Sequence, residues 1–366
     1  MPFFSRLRYF DWPMFLSVVC LAGIGLAVLY STSLTSGGAM QDADFGNFWK
    51  QAVFVVIGLG LSLMVASMNY RGLAPMARAC YVGSIVLLLA VLIFGKTIKG
   101  TTGWFGIGGF GVQPVELVKI LLIIFLAKFL AERARSMRGA GVFMATGAAV
   151  GVIAVLVLLQ PDFGSTLLLV SVWFAMLLIS GIKRSHLVIM TLAFAAVAAL
   201  AWAFALKPYQ RDRIAVFLDP GRDPFGRGYQ VTQSIIAVGS GGVTGKGLGF
   251  GSQSQLRFLP ERQTDFLFAA LAEELGFVGV LLVLGLFAFF FYRGYALAAA
   301  ARDDFSLFLV VGILVSFAIE IAVNVGGTLG LLPITGIALP FLSYGGSSLL
   351  SKFLMVGLLE SVAARR

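Results

Sequence analysis

The sequence predicts an all-α integral membrane protein, with ten transmembrane helices around an outward-facing polar cavity and one long extracytoplasmic loop. Three observations predict this fold class. The chain is 59% apolar and 12% charged, with a mean hydropathy of +0.96, a balance that soluble domains do not carry. Apolar runs of about 20 residues, the length that crosses a bilayer, recur along the chain. Basic residues fall in the gaps between these runs, so the net charge of +10 indicates a membrane surface and no nucleic acid.

The predicted spans form a single polytopic domain over residues 1–366. We expect them at 12–30, 51–68, 79–94, 114–131, 142–159, 165–180, 187–206, 265–292, 305–325 and 337–359. The first is interpreted as an uncleaved helix, because no convincing small-residue cleavage site follows it. Pro114 suits the first turn of the fourth span, since proline lacks the N–H that a helix start leaves unpaired. The one long polar segment, 207–263, is the predicted extracytoplasmic loop between helices seven and eight.

Lysine and arginine set the expected orientation. Ten spans put both termini on one side of the membrane. The basic residues in the short gaps of that side are Arg6, Arg8, Arg71, Arg78, Arg133, Arg135, Arg138, Lys183, Arg184, Arg293, Arg302, Arg365 and Arg366. The short loops of the other side hold only Lys50, Lys96 and Lys99. Both termini are therefore expected in the cytoplasm, and the loop 207–263 faces outward, where its basic residues require an anionic partner.

A Gly-rich segment, 95–113, separates the third and fourth spans. Non-helical backbone at membrane depth survives only against protein or water. The segment is therefore either a folded loop that closes a cavity or an ordinary turn-rich loop.

Asp265 stands where the polar loop meets the eighth span. A carboxylate at such a boundary is hydrated on one side and close to low dielectric on the other, which suits a tuned base. Thr264 and Asp265 equally suit the first turn of a helix, where their side chains would satisfy free N–H groups and the helix dipole. Catalysis and capping both stay open from this stretch alone. Glu273 and Glu274 follow about two turns later, and only one of them is expected to face the interior.

Charged residues also occur inside predicted spans. Glu116 and Lys119 are three residues apart, so they share one helix face and can pair. A buried ion pair is costly, and it is kept either for a task or to hold two helices together. Glu320 and Asn324 lie one turn apart in the ninth span, and Lys352 lies in the last span. A structural role is favoured for these three.

Two classes of function fit this pattern. A transporter would have internal repeat symmetry and a site near the bilayer centre. An enzyme acting on a lipid-linked anionic substrate would have its site toward one face. The sequence has no convincing repeat, and its charges cluster toward the outer ends of the spans, beside the long loop. The pattern therefore favours the enzyme.

Six motifs, in order along the whole chain, carry a resemblance to a known family. They are QPVELVK (113–119), QPDFGS (160–165), YQRDRIAVFLDPGRDPFGRGYQ (209–230), QSIIAVGSGGVTGKGLGFGSQSQLRFLPERQTDF (233–266), AEELG (272–276) and GLLPITGIALPFLSYGGSSLL (330–350). Together they resemble the SEDS family of bacterial membrane proteins (shape, elongation, division, sporulation). The stretch SQSQLRFLPER favours an elongation-type member, with the division type as the near rival.

The resemblance implies an inverting peptidoglycan glycosyltransferase that polymerises lipid II at the outer side of the bacterial cytoplasmic (inner) membrane. Asp265 matches the family's catalytic aspartate, and Glu116 and Lys119 match the polar pair of its central cavity. The implied partner is a class B penicillin-binding protein, a PBP2-type transpeptidase with a single membrane anchor. Activity in the family is associated with a divalent cation, Mg²⁺ or Mn²⁺, although this sequence has no metal-ligand cluster.

Glycosyl transfer needs a base near the acceptor hydroxyl and cations near the departing pyrophosphate. We expect Asp265 to be the base, and Glu116 to orient Lys119 or Asp265 without reacting. The candidates for the pyrophosphate are Lys119, Arg211, Arg213, Arg257 and Arg262. A flippase that moves lipid II without chemistry, and a scaffold that only recruits the transpeptidase, remain alternatives.

Three positions depart from the family pattern. Gln263 replaces the usual histidine before the aspartate, so the chemistry does not need an imidazole there. Val115 replaces the serine of the QPSE motif. Gly103 stands where an arginine often precedes a tryptophan, which leaves Lys96 or Lys99 as substitutes for that charge.

Overall fold

The computed structural model describes residues 10–34, 44–98, 100–107, 110–133, 140–181, 188, 211, 215–223, 226–256, 258–259 and 261–366. Helices dominate these ranges. In chain order they are α1 (Trp12–Ser33), α2 (Gly46–Ser67), α3 (Ala77–Phe94), α4 (Pro114–Arg133), α5 (Ala140–Leu158), α6 (Phe163–Ile179), α7 (Arg227–Ser240), α8 (Ser252–Gln255), α9 (Leu267–Ala299), α10 (Asp304–Thr328) and α11 (Gly346–Ala363). Short 3₁₀ turns lie at Tyr70–Leu73 and Pro220–Arg222.

Seven helices of the described residues are long and apolar enough to cross a membrane, namely α1, α2, α3, α5, α9, α10 and α11. Nine of the predicted spans coincide with helices in this part of the chain, since α4 and α6 fill the fourth and sixth. The seventh, 187–206, lies outside the described residues except for residue 188. The chain is a multi-pass membrane protein, and its count of ten spans stays a prediction.

Helix α10 lies at the centre of the bundle. It packs against α4, α6 and α9, while α4 also packs against α3, and α11 packs against α2. One face of α10 is lined by buried residues that include Glu320 and Asn324. Polar groups on this helix therefore meet side chains from several others.

The described residues of the segment 95–113 form a small sheet, which the sequence did not predict. Strands β1 (Lys96–Ile98), β2 (Thr101–Ile107) and β3 (Phe110–Val112) pair antiparallel in the order β1-β2-β3. Gly95 caps the end of α3, and its backbone N–H donates a hydrogen bond to the carbonyl of Val91 at 2.8 Å. The sheet satisfies its backbone by strand pairing, which explains how a Gly-rich segment stays ordered without a helix.

Helix α9 is interrupted at Gly276, where φ is +67° and ψ is −167°. The loop 241–251 closes over this break. The N–H groups of Phe277 and Val278 donate to the carbonyls of Gly242 and Val243 at 2.9 and 3.1 Å. A Cβ at Gly276 would lie 2.1 Å from a loop backbone nitrogen, so glycine is required for both its conformation and the close approach. The predicted long loop 207–263 thus contains α7, α8 and a segment bound to α9.

The last span starts later than predicted. Residues 337–345 are not helical, and α11 begins at Gly346. Pro340 lacks an N–H donor, which disfavours a helix here. The carbonyl of Ser343 accepts from Gln51 Nε2 at 3.0 Å, and Gly345 N–H donates to Gln51 Oε1 at 3.2 Å. These side-chain bonds replace helical ones. The segment 329–345 is therefore non-helical backbone, exposed at Leu331 and buried over 339–343.

At the end of the bundle that carries the C-terminus, Asp303 connects α10 to the 3₁₀ turn at Tyr70–Leu73. Its carboxylate caps α10 by accepting from the N–H of Ser306 at 2.8 Å, and it also accepts from the hydroxyl of Tyr70 at 2.8 Å. Burial alone would raise the pKa of Asp303. The bonds from Ser306 and Tyr70 outweigh burial and hold the pKa of Asp303 below its ordinary value of 3.8.

Candidate active site

Asp265 lies in a turn just before α9, and its side chain is half-buried. The N-cap residue of α9 is Phe266, whose own side chain makes no cap. Asp265 is therefore not the N-cap residue, and capping by its carboxylate stays a prediction. Thr264 instead directs its hydroxyl to the carboxylate of Glu261 at 3.0 Å. The predicted span began at residue 265, and the helix begins at Leu267.

The turn is anchored through its backbone carbonyls. Asn324 Nδ2 donates to the carbonyl of Asp265 at 3.1 Å. The hydroxyl of Ser343 donates to the carbonyl of Thr264 at 2.7 Å, and Tyr344 N–H donates to the carbonyl of Gln263 at 2.8 Å. Three consecutive carbonyls are thus bound by α10 and by the segment 329–345. Because these bonds use backbone atoms, they fix the turn without using the carboxylate of Asp265.

Asp265 lines a pocket between the start of α9, α10 and the segment 329–345. The other lining residues are Phe266, Val323, Asn324, Gly327, Thr328, Ile334, Thr335, Gly336 and Ile337. Gly336 has φ +80°, and a Cβ there would lie 3.9 Å from Asp265 Oδ2. The carboxylate therefore faces bare backbone at Gly336, which leaves room beside it.

A buried network of four charges lies on neighbouring helices. Lys119 Nζ is 2.8 Å from Glu116 Oε2, as the three-residue spacing predicted, and 2.6 Å from Glu320 Oε1. Lys352 Nζ is 3.5 Å from Glu116 Oε2 and 3.2 Å from Glu320 Oε2. Ser351 also donates to Glu116 at 2.9 Å. Each cation touches both acids, and the four formal charges cancel.

Glu320 of this network lies on the same face of α10 as Asn324, whose side chain binds the carbonyl of Asp265. Glu320 and Asn324 are four residues apart on α10, so they lie one above the other. The sequence indicated Glu320, Asn324 and Lys352 as structural polar residues. It did not show that one face of α10 joins the charge network to the turn before α9. The sequence did not indicate a role for Gln51 or Ser343. Each is a polar side chain inside an apolar run, and this is the only signal that could have identified it.

Glu273 and Glu274 are both fully buried, so the expectation that only one faces the interior was wrong. Glu273 Oε1 is 2.8 Å from Lys246 Nζ, and Glu273 Oε2 accepts from the N–H of Ser254 at 3.0 Å. Glu274 Oε1 accepts from the hydroxyl of Ser31 at 2.6 Å. The loop 241–256 covers the side of α9 that would otherwise be exposed.

The predicted pyrophosphate arginines are only partly described. Arg262 donates to the backbone carbonyl of Ser254. Arg211 is half-buried. Arg213 and Arg257 lie outside the described residues. Arg262 precedes Asp265 by three residues in the chain, and a pyrophosphate site formed by the four arginines stays a prediction.

The three departing positions have local roles. Gln263 Oε1 accepts from Asn47 Nδ2 at 2.7 Å, so this amide joins the turn to α2. Val115 is buried in the core. Gly103 packs against Gln160, and a Cβ there would lie 3.2 Å from the side-chain oxygen of Gln160.

A divalent cation would need several oxygen ligands. Among the described residues, no three His, Cys, Asp or Glu side chains converge as a metal-binding group. These side chains do not fit a cage made of protein ligands alone.

The chain is similar to known proteins over nearly its whole length. The model of the cell cycle protein family, which takes in FtsW, RodA and SpoVE, matches residues 12–366. The probable peptidoglycan glycosyltransferase FtsW of Tolumonas auensis is 38% identical, over 99% of this chain and 94% of its own. The peptidoglycan glycosyltransferase MrdB of Escherichia coli K12 is 36% identical, over 93% and 92%.

A solved structure has the same fold. It is the subject of a study on the structural coordination of polymerisation and crosslinking by a peptidoglycan synthase complex. The matched chain is 34% identical, with a TM-score of 0.80 over 97% of each chain. Fold and relatives together define the class as a multi-pass membrane enzyme, a peptidoglycan glycosyltransferase. Within that class, the chain belongs to the cell cycle protein family of FtsW, RodA and SpoVE, the SEDS family.

Proposed function

We propose that this chain polymerises lipid II into β-1,4 glycan strands during cell elongation, with Asp265 as the general base. One observation carries the proposal. The backbone of the turn before α9 is fixed at the carbonyls of Gln263, Thr264 and Asp265, while the Asp265 carboxylate lines a pocket. A base must be held in position before the reaction, and this arrangement holds the main chain and presents the side chain.

The reaction is a single displacement at the anomeric carbon of the donor sugar. The acceptor 4-hydroxyl oxygen forms a bond to that carbon while the bond from the carbon to the polyprenyl pyrophosphate breaks. Asp265 takes the hydroxyl proton, and the pyrophosphate leaves with the bonding electrons. One displacement inverts an α-linked donor to a β-linked product and needs one carboxylate at the nucleophile, unlike hydrolases that use two.

The buried charge network supports the site without reacting. Lys119 already pairs with two carboxylates, so we assign it to holding Glu116 and Glu320 in place. The leaving pyrophosphate would be met by arginines before α9, with Arg262 and Arg211 as the described candidates. Arg213 and Arg257 stay candidates from the sequence alone.

The setting follows from the proposed reaction. Lipid-linked sugar at the outer leaflet of the bacterial inner membrane requires the pocket to face outward, as the distribution of basic residues predicts. A PBP2-type class B penicillin-binding protein would crosslink the product, and a structure similar to this chain concerns such a coordination of polymerisation and crosslinking. The elongation role rests on the stretch SQSQLRFLPER, since relatives of both the FtsW and the MrdB type match.

The test is polymerisation of labelled lipid II by purified protein with its transpeptidase partner. Asp265→Asn should fold and insert but polymerise about 10²–10⁴-fold more slowly, the usual cost of losing a general base. Asp304→Asn is the matched control, because it makes the same change at an exposed acid that starts another helix. Near-normal polymer from Asp265→Asn at equal folded amounts would remove Asp265 from the mechanism.

A second arm separates catalysis from transport. Wild-type protein in vesicles with lipid II on one leaflet should give glycan polymer. Movement of lipid II between leaflets, with no polymer from wild-type protein in the presence of partner and Mg²⁺, would favour the flippase instead.

A further inference from the structure

We infer that Asn324 is a positioning residue for the general base, and that its amide sets where Asp265 stands relative to the pocket wall. The inference rests on the proposed function and goes beyond it by assigning a role to a residue of α10. Asn324 Nδ2 donates to two carbonyls, that of Asp265 at 3.1 Å and that of Ile337 at 2.8 Å. It therefore ties the turn that carries the base to the segment that forms the opposite wall of the pocket.

The orientation of this amide is fixed by its partners. Both partners are carbonyl oxygens, which only accept hydrogen bonds, so the NH₂ group must face them and Oδ1 must point away. Asn324 is 5% exposed, and its Oδ1 has no hydrogen-bond partner among the described residues. A buried acceptor without a hydrogen bond lowers the stability of the fold, so this amide is not explained by stability. This cost indicates that the two donated bonds are kept for the geometry that they impose.

The position of Asn324 on α10 strengthens the inference. Glu320, one turn away on the same face, is held by Lys119 and Lys352 at 2.6 and 3.2 Å. The charge network therefore fixes the rotation and depth of α10 at that point. Because Asn324 lies on the same face, its hydrogen bond holds the backbone of Asp265 at a set position relative to α10. The carboxylate is placed by a chain of contacts that starts in the buried network and ends at one carbonyl.

The structure also explains why other bonds do not replace this one. Ser343 and Tyr344 hold the carbonyls of Thr264 and Gln263, one and two residues earlier in the turn. Asn324 is the donor that binds the carbonyl of Asp265 itself. Without it, the earlier carbonyls stay bound and the turn stays folded. The peptide plane after Asp265 then keeps the bond from the N–H of Phe266 to the carbonyl of Glu261 at 3.3 Å but loses its bond to α10.

The experiment uses three variants of the full chain in the polymerisation assay. Asn324→Leu removes both donors at similar volume, Asn324→Asp keeps the shape but faces two carbonyls with oxygens, and Asn324→Ser keeps one shorter donor. We expect Asn324→Leu and Asn324→Asp to lower kcat about 10- to 100-fold, the scale of a misplacement of about 1 Å, with KM changed by less than about 3-fold. Asn324→Ser should fall between them and the wild type.

The matched control is Ser234→Ala. Ser234 is buried and its hydroxyl donates to the carbonyl of Thr328 at 2.7 Å, so this variant also removes a buried side-chain bond to a carbonyl at this end of the bundle. It should lower the melting temperature without changing kcat per folded molecule. Wild type and Asp265→Asn are run beside it, so that an inactive wild type or an active Asp265→Asn points to a failure of the proposed function itself.

Two results would overturn the inference while the proposed function stands. One is a kcat within about 3-fold of wild type for Asn324→Leu and Asn324→Asp at equal folded amounts. The other is a loss of folded protein in all three Asn324 variants, which would make Asn324 a determinant of folding and not of the position of the base.

Discussion

Replacing Lys119 by methionine removes one of the two cations that touch both Glu116 and Glu320. Glu116 and Glu320 then share only Lys352, at 3.5 and 3.2 Å, and the network is left with one uncompensated negative charge. The side chains of Glu320 and Lys352 are 1% and 3% exposed, so water does not replace the lost partner of Glu320, whereas Glu116 is 13% exposed. Breaking a buried pair on one side costs about 3–5 kcal/mol of unfolding free energy. Glu320→Gln should cost a similar amount, because it leaves one uncompensated positive charge.

The double variant gives the sharper test. Lys119→Met with Glu320→Gln leaves Glu116 and Lys352, which neutralise each other at 3.5 Å. We therefore expect the double variant to be about 2 kcal/mol more stable than the sum of the single losses predicts. The assay is equilibrium unfolding in bicelles with increasing SDS. The matched control is Lys128→Met on the same helix, whose partner Glu132 is 48% exposed and whose loss should cost less than about 1 kcal/mol.

Additive losses of unfolding free energy in the double variant would refute the reasoning, since they would mean that Lys119 and Glu320 do not interact energetically. A loss of the same size from Lys128→Met would also refute it, because burial would then not be the cause.

Three other features give predictions of their own. Gly276→Ala should abolish the yield of monodisperse protein, because its Cβ meets loop backbone at 2.1 Å, whereas Gly285→Ala in the same helix has nothing within 4 Å and should fold normally. Gly336→Ala adds strain of about 1–2 kcal/mol at φ +80°, and it places a methyl group beside Asp265. Polymerisation should therefore fall while the protein can still be purified. Unchanged polymerisation would show that this wall of the pocket does not affect the reaction. Asp303 has a lowered pKa, so its contribution to stability is present above its ordinary pKa and lost as the pH falls through the lowered one. The difference in melting temperature between wild type and Asp303→Asn should therefore be constant above about pH 5 and shrink as the pH falls from about 4 to about 2. A difference that stays constant down to about pH 2 would contradict this.

The spans were predictable because a bilayer leaves the backbone little choice. A helix satisfies its own hydrogen bonds, so each predicted span in the described chain coincides with a helix, although the last helix begins only at Gly346. The pairing of Glu116 with Lys119 was predictable for the same local reason, since three residues along a helix bring side chains together. Asp265 was indicated by a change from polar to apolar sequence at one point of the chain.

The errors share a cause, which is that distant residues supplied the hydrogen bonds. Residues 337–345 are as apolar as a helix, but Gln51, almost 300 positions away, binds the backbone at Ser343 and Gly345. Glu274 is buried because Ser31 and the loop 241–256 cover it. The meeting of Lys352 with Glu320 likewise depends on how α10 and α11 pack. None of these contacts has a signature at short range in the sequence.

The buried charge network also has an electrical consequence. A membrane under voltage exerts a force on any net charge that moves within it, worth about 2.3 kcal/mol per elementary charge for each 100 mV. Glu116, Glu320, Lys119 and Lys352 sum to zero, so small movements of α4, α10 and α11 that carry the network together transfer no net charge. The network itself therefore offers the membrane potential no net charge on which to act.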